Sequence, residues 1–156
     1  MECLQLSKLY VDEIHPKTAG TYPVISEMPL PVFCASHSGA MSLSNVVLTS
    51  SNGYDTVRVN QGNHMNLSTG EFTCPVDGIY RGAVRMTVGN STTNVRIQKN
   101  GSTLTEAYSD AVGSNHSVSG EVVTECVAGD TLRIQVASCT TLGGAQHKNF
   151  TFYLMR

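Results

Sequence analysis

The residues that could do chemistry are scattered along this chain of 156 residues. The histidines, each a potential base or metal ligand, lie far apart, with no HExxH, no GxSxG and no glycine-rich phosphate loop beside them. They are His15, His37, His64, His116 and His147. Without such a motif, each histidine is predicted to be a surface residue rather than a base or a metal ligand.

The aspartates show no catalytic spacing either. Asp55, Asp77, Asp110 and Asp130 stand next to Gly, Tyr or Ser in turn-like segments, where an aspartate favours hydrogen bonds with its own backbone. Two carboxylates could still converge in the folded protein, as glycoside hydrolysis requires, and the sequence leaves that open. The chain is predicted not to be an enzyme and to need no cofactor.

The cysteines are five, an odd number, at wide spacings and without a CxxC pair. They are Cys3, Cys34, Cys74, Cys126 and Cys139. Zinc sites and disulfide frameworks use clustered or evenly paired cysteines, whereas a free cysteine is usually a small core residue. The pattern therefore favours buried free thiols and predicts no metal site.

Charge and hydropathy exclude several classes of partner. Charged residues make up 14% of the chain and the net charge is -2, without a run of Lys or Arg. Nucleic acids and anionic membranes attract strongly basic surfaces, so neither is an expected partner. No stretch approaches the roughly 20 apolar residues that span a bilayer, so no membrane insertion is expected. The N-terminus lacks a basic segment followed by an apolar core, which predicts folding in a cytosol-like compartment.

Short alternating segments dominate the chain from Pro29 onward, separated by turn signals, and this pattern is typical of an all-β sandwich or barrel. The clearest alternation runs through Phe72–Val76 and Tyr80–Val88. Asn100-Gly101 predicts a type I′ hairpin, and Gly129-Asp130 predicts a second turn. The predicted strands are Pro31–Ala35, Val46–Leu48, Thr56–Val59, Gly70–Val76, Ile79–Val88, Asn94–Lys99, Ser117–Val127, Thr131–Ala137 and Asn149–Met155.

Several of these segments, in this order, resemble a known family. They are Pro31–Ala35, Val59–Gly62, Gly70–Tyr80, Gln98–Gly101, Ala128–Leu132 and Phe150–Leu154. Together they resemble the globular head domain of complement C1q and the related tumour-necrosis-factor jelly rolls. The resemblance implies a ten-stranded jelly-roll sandwich that assembles as a homotrimer through strand faces around a threefold axis. Arg81–Arg85 departs from the family, which usually has aromatic residues after Tyr80, and the family's calcium ligands have no matching positions.

Residues 1–28 are predicted to form an N-terminal arm, followed by the head at 29–156. The arm has no sustained period, and an extended segment cannot bury its own apolar side chains, so it should lie against a neighbour. A frayed tail is the alternative. Leu9–Gly20 resembles short segments at the start of phage tail-fibre and head-decoration proteins. The predicted attachment residues are Leu4, Leu6, Leu9, Tyr10, Val11 and Ile14.

These features together predict a non-enzymatic bacteriophage virion protein, folded in the host cytoplasm and displayed on the virion surface. It would be a trimeric decoration or short fibre whose arm docks on a capsid or tail protein. A receptor-binding adhesin that contacts host glycan or protein is the alternative, and a secreted complement-like protein is a third possibility. The candidate outward-loop residues are Asn90, Thr92, Tyr108, Asp110, Asn115, His116 and His147.

Overall fold

The structure is a computed structural model that describes residues 30–110 and 113–155. The predicted attachment arm, with Leu4, Leu6, Leu9, Tyr10, Val11 and Ile14, lies outside the described residues. The described part contains eleven strands and one short 3-10 helix, Ala145–His147. The strands are β1 Val32–Ser36, β2 Ser42–Val47, β3 Thr56–Gln61, β4 Met65–Asn66, β5 Glu71–Thr73, β6 Gly78–Val88, β7 Thr93–Lys99, β8 Ser102–Ser109, β9 His116–Cys126, β10 Thr131–Thr140 and β11 Lys148–Leu154.

Two antiparallel sheets make up the sandwich. The front sheet has five strands in the order β3-β1-β11-β6-β9. The back sheet has six strands. Five follow the order β4-β5-β10-β7-β8, and the sixth, β2, pairs with β10. Strands distant in sequence are neighbours in both sheets, as when β1 near the start of the domain pairs with β11 at its end. This is the jelly-roll arrangement that the resemblance implied.

Aromatic side chains fill the space between the sheets. Phe72 from the back sheet stacks on Phe152 from the front sheet, with ring centroids 5.7 Å apart. Tyr54 packs edge-on against Phe33 and Phe150 at 5.2 and 5.4 Å. All five rings are buried. Four of them belong to strands, whose alternate residues point into the sandwich, and Tyr54 lies just before β3.

The all-β prediction is confirmed, and a strand covers part of every predicted segment. The Asn100-Gly101 hairpin is also confirmed, with φ of 50° and 82° at the two residues. The structure has eleven strands where the resemblance implied ten, and two of them, β4 and β8, lie outside the predicted segments. Tyr108 and His116 were predicted to lie in a loop, but Tyr108 belongs to β8 and His116 begins β9. β10 also extends to Thr140, three residues past its predicted end at Ala137.

Candidate functional site

The outward face of the front sheet, called the front face below, carries the clearest candidate site. Backbone pairing aligns its side chains in rows across the strands. One row runs Gln61, Val32, Tyr153, Arg81, Val123, and the next runs Val59, Cys34, Thr151, Ala83, Glu121. The two rows cross all five strands, so the front face is one continuous surface.

Exposed apolar residues concentrate on the front face and its borders. Eight large hydrophobic residues are exposed in the part of the chain that the structure describes, and six of them belong to front-sheet strands or directly follow one. The six are Val57, Val59, Ile79, Val123, Val127 and Met155. The other two, Leu104 and Tyr108, lie on β8. An antiparallel sheet that faces water normally carries polar residues on that side. Apolar residues exposed on that side make the front face the candidate interaction surface.

An ion pair on the front face joins β6 to the edge strand β9. Arg81 donates from Nε to Glu121 Oε1 at 2.7 Å, and from Nη1 to the Tyr153 hydroxyl at 3.0 Å. The guanidinium also lies 5.7 Å from the centre of the Tyr153 ring. The hydrogen bond from Arg81 lowers the pKa of the Glu121 carboxyl, and the hydrogen bonds to Glu121 and Tyr153 raise the pKa of Arg81. The two charges therefore neutralise each other within one subunit.

A polar depression lies beside this ion pair. Its volume is about 290 Å³, and its lining includes the small residues Ala83 and Gly120. Arg85, Ser119 and Asn149 supply the polar lining next to Arg81 and Glu121. The depression is thus polar, whereas the borders of the front face are apolar.

The predicted outward loops come together at one end of the sandwich. The Gly113 amide donates to Asn90 Oδ1 at 2.8 Å, which links the β6–β7 loop to the β8–β9 loop. The Tyr108 hydroxyl donates to Asp110 Oδ1 at 2.5 Å. His116 Nε2 and Ser109 Oγ lie 2.8 Å apart. These contacts define a polar surface, called the loop end below.

The remaining predicted loop residues lie near the same end. The Thr92 carbonyl accepts a hydrogen bond from Ser138 Oγ at 3.3 Å. Asn115 is exposed directly before β9. His147 is the last residue of the 3-10 helix in the β10–β11 loop. The Leu142 amide of this loop donates to the Thr87 carbonyl of β6 at 3.2 Å. A binding role for these residues stays a prediction.

One Ser-His-Asp group assembles that the sequence did not reveal. His37 Nδ1 lies 3.4 Å from Asp55 Oδ2, and Ser38 donates to Asp55 from its amide at 2.9 Å and its hydroxyl at 2.5 Å. Burial raises the pKa of the Asp55 carboxyl, but these hydrogen bonds lower it by more, so the net shift is downward. Because the Ser38 hydroxyl points to the carboxylate, the imidazole does not activate it as a triad would. Within residues 30–110 and 113–155, no three His, Cys, Asp or Glu side chains cluster as metal ligands.

The sequence profile of the C1q domain matches residues 32–155. The chain belongs to the C1q domain family. Among related proteins, mouse complement C1q and tumor necrosis factor-related protein 9 is 32% identical over 91 residues, which are 58% of this chain and 27% of the mouse protein. Bovine protein HP-25 homolog 2 is 30% identical over 82 residues, 53% of this chain and 38% of its own length. The aligned part thus spans well under half of these relatives.

Solved structures show the same fold. The globular domain of a zebrafish complement 1qA protein superposes with a TM-score of 0.65 at 18% identity, covering 81% of this chain and 98% of the zebrafish chain. The Eiger tumour necrosis factor of S. frugiperda gives a TM-score of 0.62 at 13% identity, covering 82% and 94%. The predicted jelly-roll sandwich of the C1q and tumour-necrosis-factor type is therefore confirmed.

The C1q domain favours binding over catalysis. C1q and tumour-necrosis-factor family members are generally non-enzymatic binding or signalling proteins, and nothing in the described residues indicates catalysis. No helix in the described residues has the length and apolar character to cross a membrane. The relatives named here are animal proteins, so they do not address the predicted virion context, and they give the secreted complement-like alternative no better support.

Proposed function

We propose that this C1q domain is a non-enzymatic, homotrimeric binding head whose subunits pack through the front face. The single observation that carries the proposal is the placement of six of the eight exposed large hydrophobics on or beside the front sheet. Burying such side chains gains about 25 cal/mol per Å² of apolar area, and a second copy of the chain can supply that cover.

The ion pair on the front face is compatible with burial. An isolated buried charge is strongly unfavourable, whereas one with its partner and additional hydrogen bonds is tolerated. Arg81 already has both, from Glu121 and from the Tyr153 hydroxyl. A neighbouring subunit could therefore cover the front face without providing a counter-ion.

A threefold ring joins two different patches of each subunit, so the front face must contact a second surface. We assign that surface to the edge strand β8. It has a free edge at the end of the back sheet, and its Leu104 is 39% exposed. Leu104 then falls on the second half of the same interface, whereas Tyr108 lies further along β8, at the loop end.

Light scattering after gel filtration tests the trimer. We expect the full chain to have three times the 16.7 kDa mass of one subunit. Val123→Arg, which places a charge on the front face, should shift the mass to that of a monomer, and Leu104→Arg should weaken the trimer through the other patch. Ser44→Arg, on the exposed side of the back sheet, is the matched control and should remain trimeric. A monomeric wild-type protein, or a Val123→Arg protein that stays trimeric, would contradict the proposal.

The narrower proposal is that this head decorates a phage virion, attached to capsid or tail protein through residues 1–28. Its support is the sequence resemblance of Leu9–Gly20 to phage fibre and decoration proteins. It is independent of the trimer and is tested separately by deleting the arm.

An adhesin is the second candidate, and Tyr108 favours it. Its ring is 58% exposed beside Asp110 at the loop end, and an exposed aromatic among adaptable polar groups suits glycan or protein contacts. Screening the protein on a glycan array and on host cells should show binding that Tyr108→Ala removes and Ser44→Arg retains. Equal binding by both variants would exclude the loop end as the contact surface.

A further inference from the structure

Two buried cysteines flank one turn at the edge of the core. The turn is residues 127–130, between β9 and β10, and Cys126 is the last residue of β9. Cys74, just after β5, pairs with the same turn through its backbone: its amide donates to the Asp130 carbonyl and its carbonyl accepts from the Gly129 amide, both at 2.8 Å. The turn therefore holds the two cysteines near each other, although 52 positions separate them in the sequence.

Both thiols are buried in the core beside this turn. Cys74 is fully buried and Cys126 is 1% exposed, in the same hydrophobic cluster. Burial raises the pKa of both thiols, and a hydrogen bond between them raises that of Cys74 and lowers that of Cys126. The other described cysteines lie elsewhere, since Cys34 is on the front face and Cys139 is on β10 opposite Leu43. Of the four described cysteines, Cys74 and Cys126 are the two that the turn 127–130 brings to the same place.

We propose that Cys74 and Cys126 form a latent disulfide site, where oxidation cross-links the turn 127–130 to the segment after β5. The oxidant is a small disulfide such as oxidised glutathione. One cysteine thiolate attacks it and releases the first glutathione thiol, leaving a mixed disulfide. The second cysteine then attacks the protein sulfur of that mixed disulfide and releases the second glutathione as a thiol. Two protein thiols lose two electrons and two protons, and one disulfide of the oxidant becomes two thiols.

The structure also sets how fast this site reacts. A thiolate is the attacking species, and both thiols are buried and protonated, so the oxidant can reach them only when the turn opens. Lys99 holds the turn closed: its Nζ lies 2.8 Å from Asp130 Oδ2 and donates to the Glu125 carbonyl at 2.8 Å. Asp130 Oδ2 also accepts from the Val127 amide at 2.9 Å. Removing the Lys99 charge should therefore accelerate disulfide formation.

The test uses the full-length, reduced protein with oxidised glutathione, followed by alkylation of the remaining thiols, intact mass measurement and peptide mapping. We expect a product that has lost two of its five thiols, with Cys74 linked to Cys126. Its thermal midpoint should rise and return to the reduced value with dithiothreitol. Lys99→Met should form the product faster. Cys126→Ser should abolish both the product and the shift, whereas Cys139→Ser, another buried cysteine, should retain both.

Refolding from urea in a glutathione redox buffer is the second arm, because it does not require the native turn to open. A refolded protein with all five thiols reduced would overturn the proposal. Glutathione adducts without the internal cross-link, or a cross-link through another cysteine, would overturn it as well. An equal oxidation rate in Lys99→Met and the wild type would reject the role of the closed turn.

Discussion

The packing of the core can be tested at Gly82 and Phe152, which are paired across β6 and β11. A Cβ atom at Gly82 would lie 2.9 Å from Phe152 Cε1, 3.1 Å from Phe152 Cδ1 and 3.3 Å from Ile97 Cγ2. The ring of Phe152 therefore occupies the space that a side chain at position 82 would need. The two positions should be energetically coupled.

The expected magnitudes follow from packing. Gly82→Ala overpacks the core and should destabilise the protein by about 1–3 kcal/mol. Phe152→Ala removes a fully buried ring and should cost about 3–5 kcal/mol. In the double variant the new methyl enters the space that the ring has left. The double variant should thus lose less stability than the sum of the single changes, by about 1–3 kcal/mol.

Urea denaturation at one fixed chain concentration measures all four proteins, because an oligomer's stability depends on concentration. Phe150→Ala supplies the control: Phe150 is an equally buried ring on the same strand, but it packs on Tyr54. The loss of unfolding free energy caused by Phe150→Ala should be additive with the loss caused by Gly82→Ala. The packing argument fails if Gly82→Ala and Phe152→Ala are additive within about 0.5 kcal/mol, or if Phe150→Ala couples equally.

Three further predictions concern the turns and the arm. Hydrogen bonds from Lys99, Asn100 and the Val127 amide lower the pKa of Asp130 to about 2. The carboxylate therefore stabilises the fold above its unfolded pKa of about 3.9, and this stabilisation is lost as the pH falls towards 2. The urea midpoint of Asp130→Asn should fall less over this pH range than that of the wild type. Gly101→Ala should cost about 1–2 kcal/mol because φ at Gly101 is 82°, and unchanged stability in urea would refute this. Deleting residues 1–28 should leave a folded trimer that no longer joins the particle, and incorporation at full occupancy would exclude the docking role of the arm.

Local signals in the sequence were sufficient for most of the fold. Phe72 and Phe152 belong to segments that the sequence predicts as strands, and both are fully buried. The Asn-Gly turn required positive φ at both residues and has it. These features depend on a few neighbouring residues, which is why they could be predicted from the sequence.

Features that depend on distant segments could not be predicted in the same way. β8 reads Ser-Thr-Leu-Thr-Glu-Ala-Tyr-Ser and has little apolar alternation. It is a strand because the hairpin brings it back along β7, where Ala107 pairs with Val95. The packing after Tyr80 was likewise left open by the sequence, since Arg81–Arg85 stands where the family usually has aromatic residues, and Gly82 has no side chain to fill the space. The space is filled by Phe152, which lies 70 positions further along the chain.

The front face shows where sequence reasoning needs the assembled sheet. The pair Val122-Val123 shows that β9 is apolar on both sides but does not identify the side that faces the core. In the structure Val122 packs against the core and Val123 is 53% exposed. Only the register then places Val123 in one row with Tyr153 and Val32, three strands away. A water-facing sheet would gain nothing from such a row, whereas a subunit interface would, and this contrast is the physical basis for expecting Val123→Arg to separate the subunits.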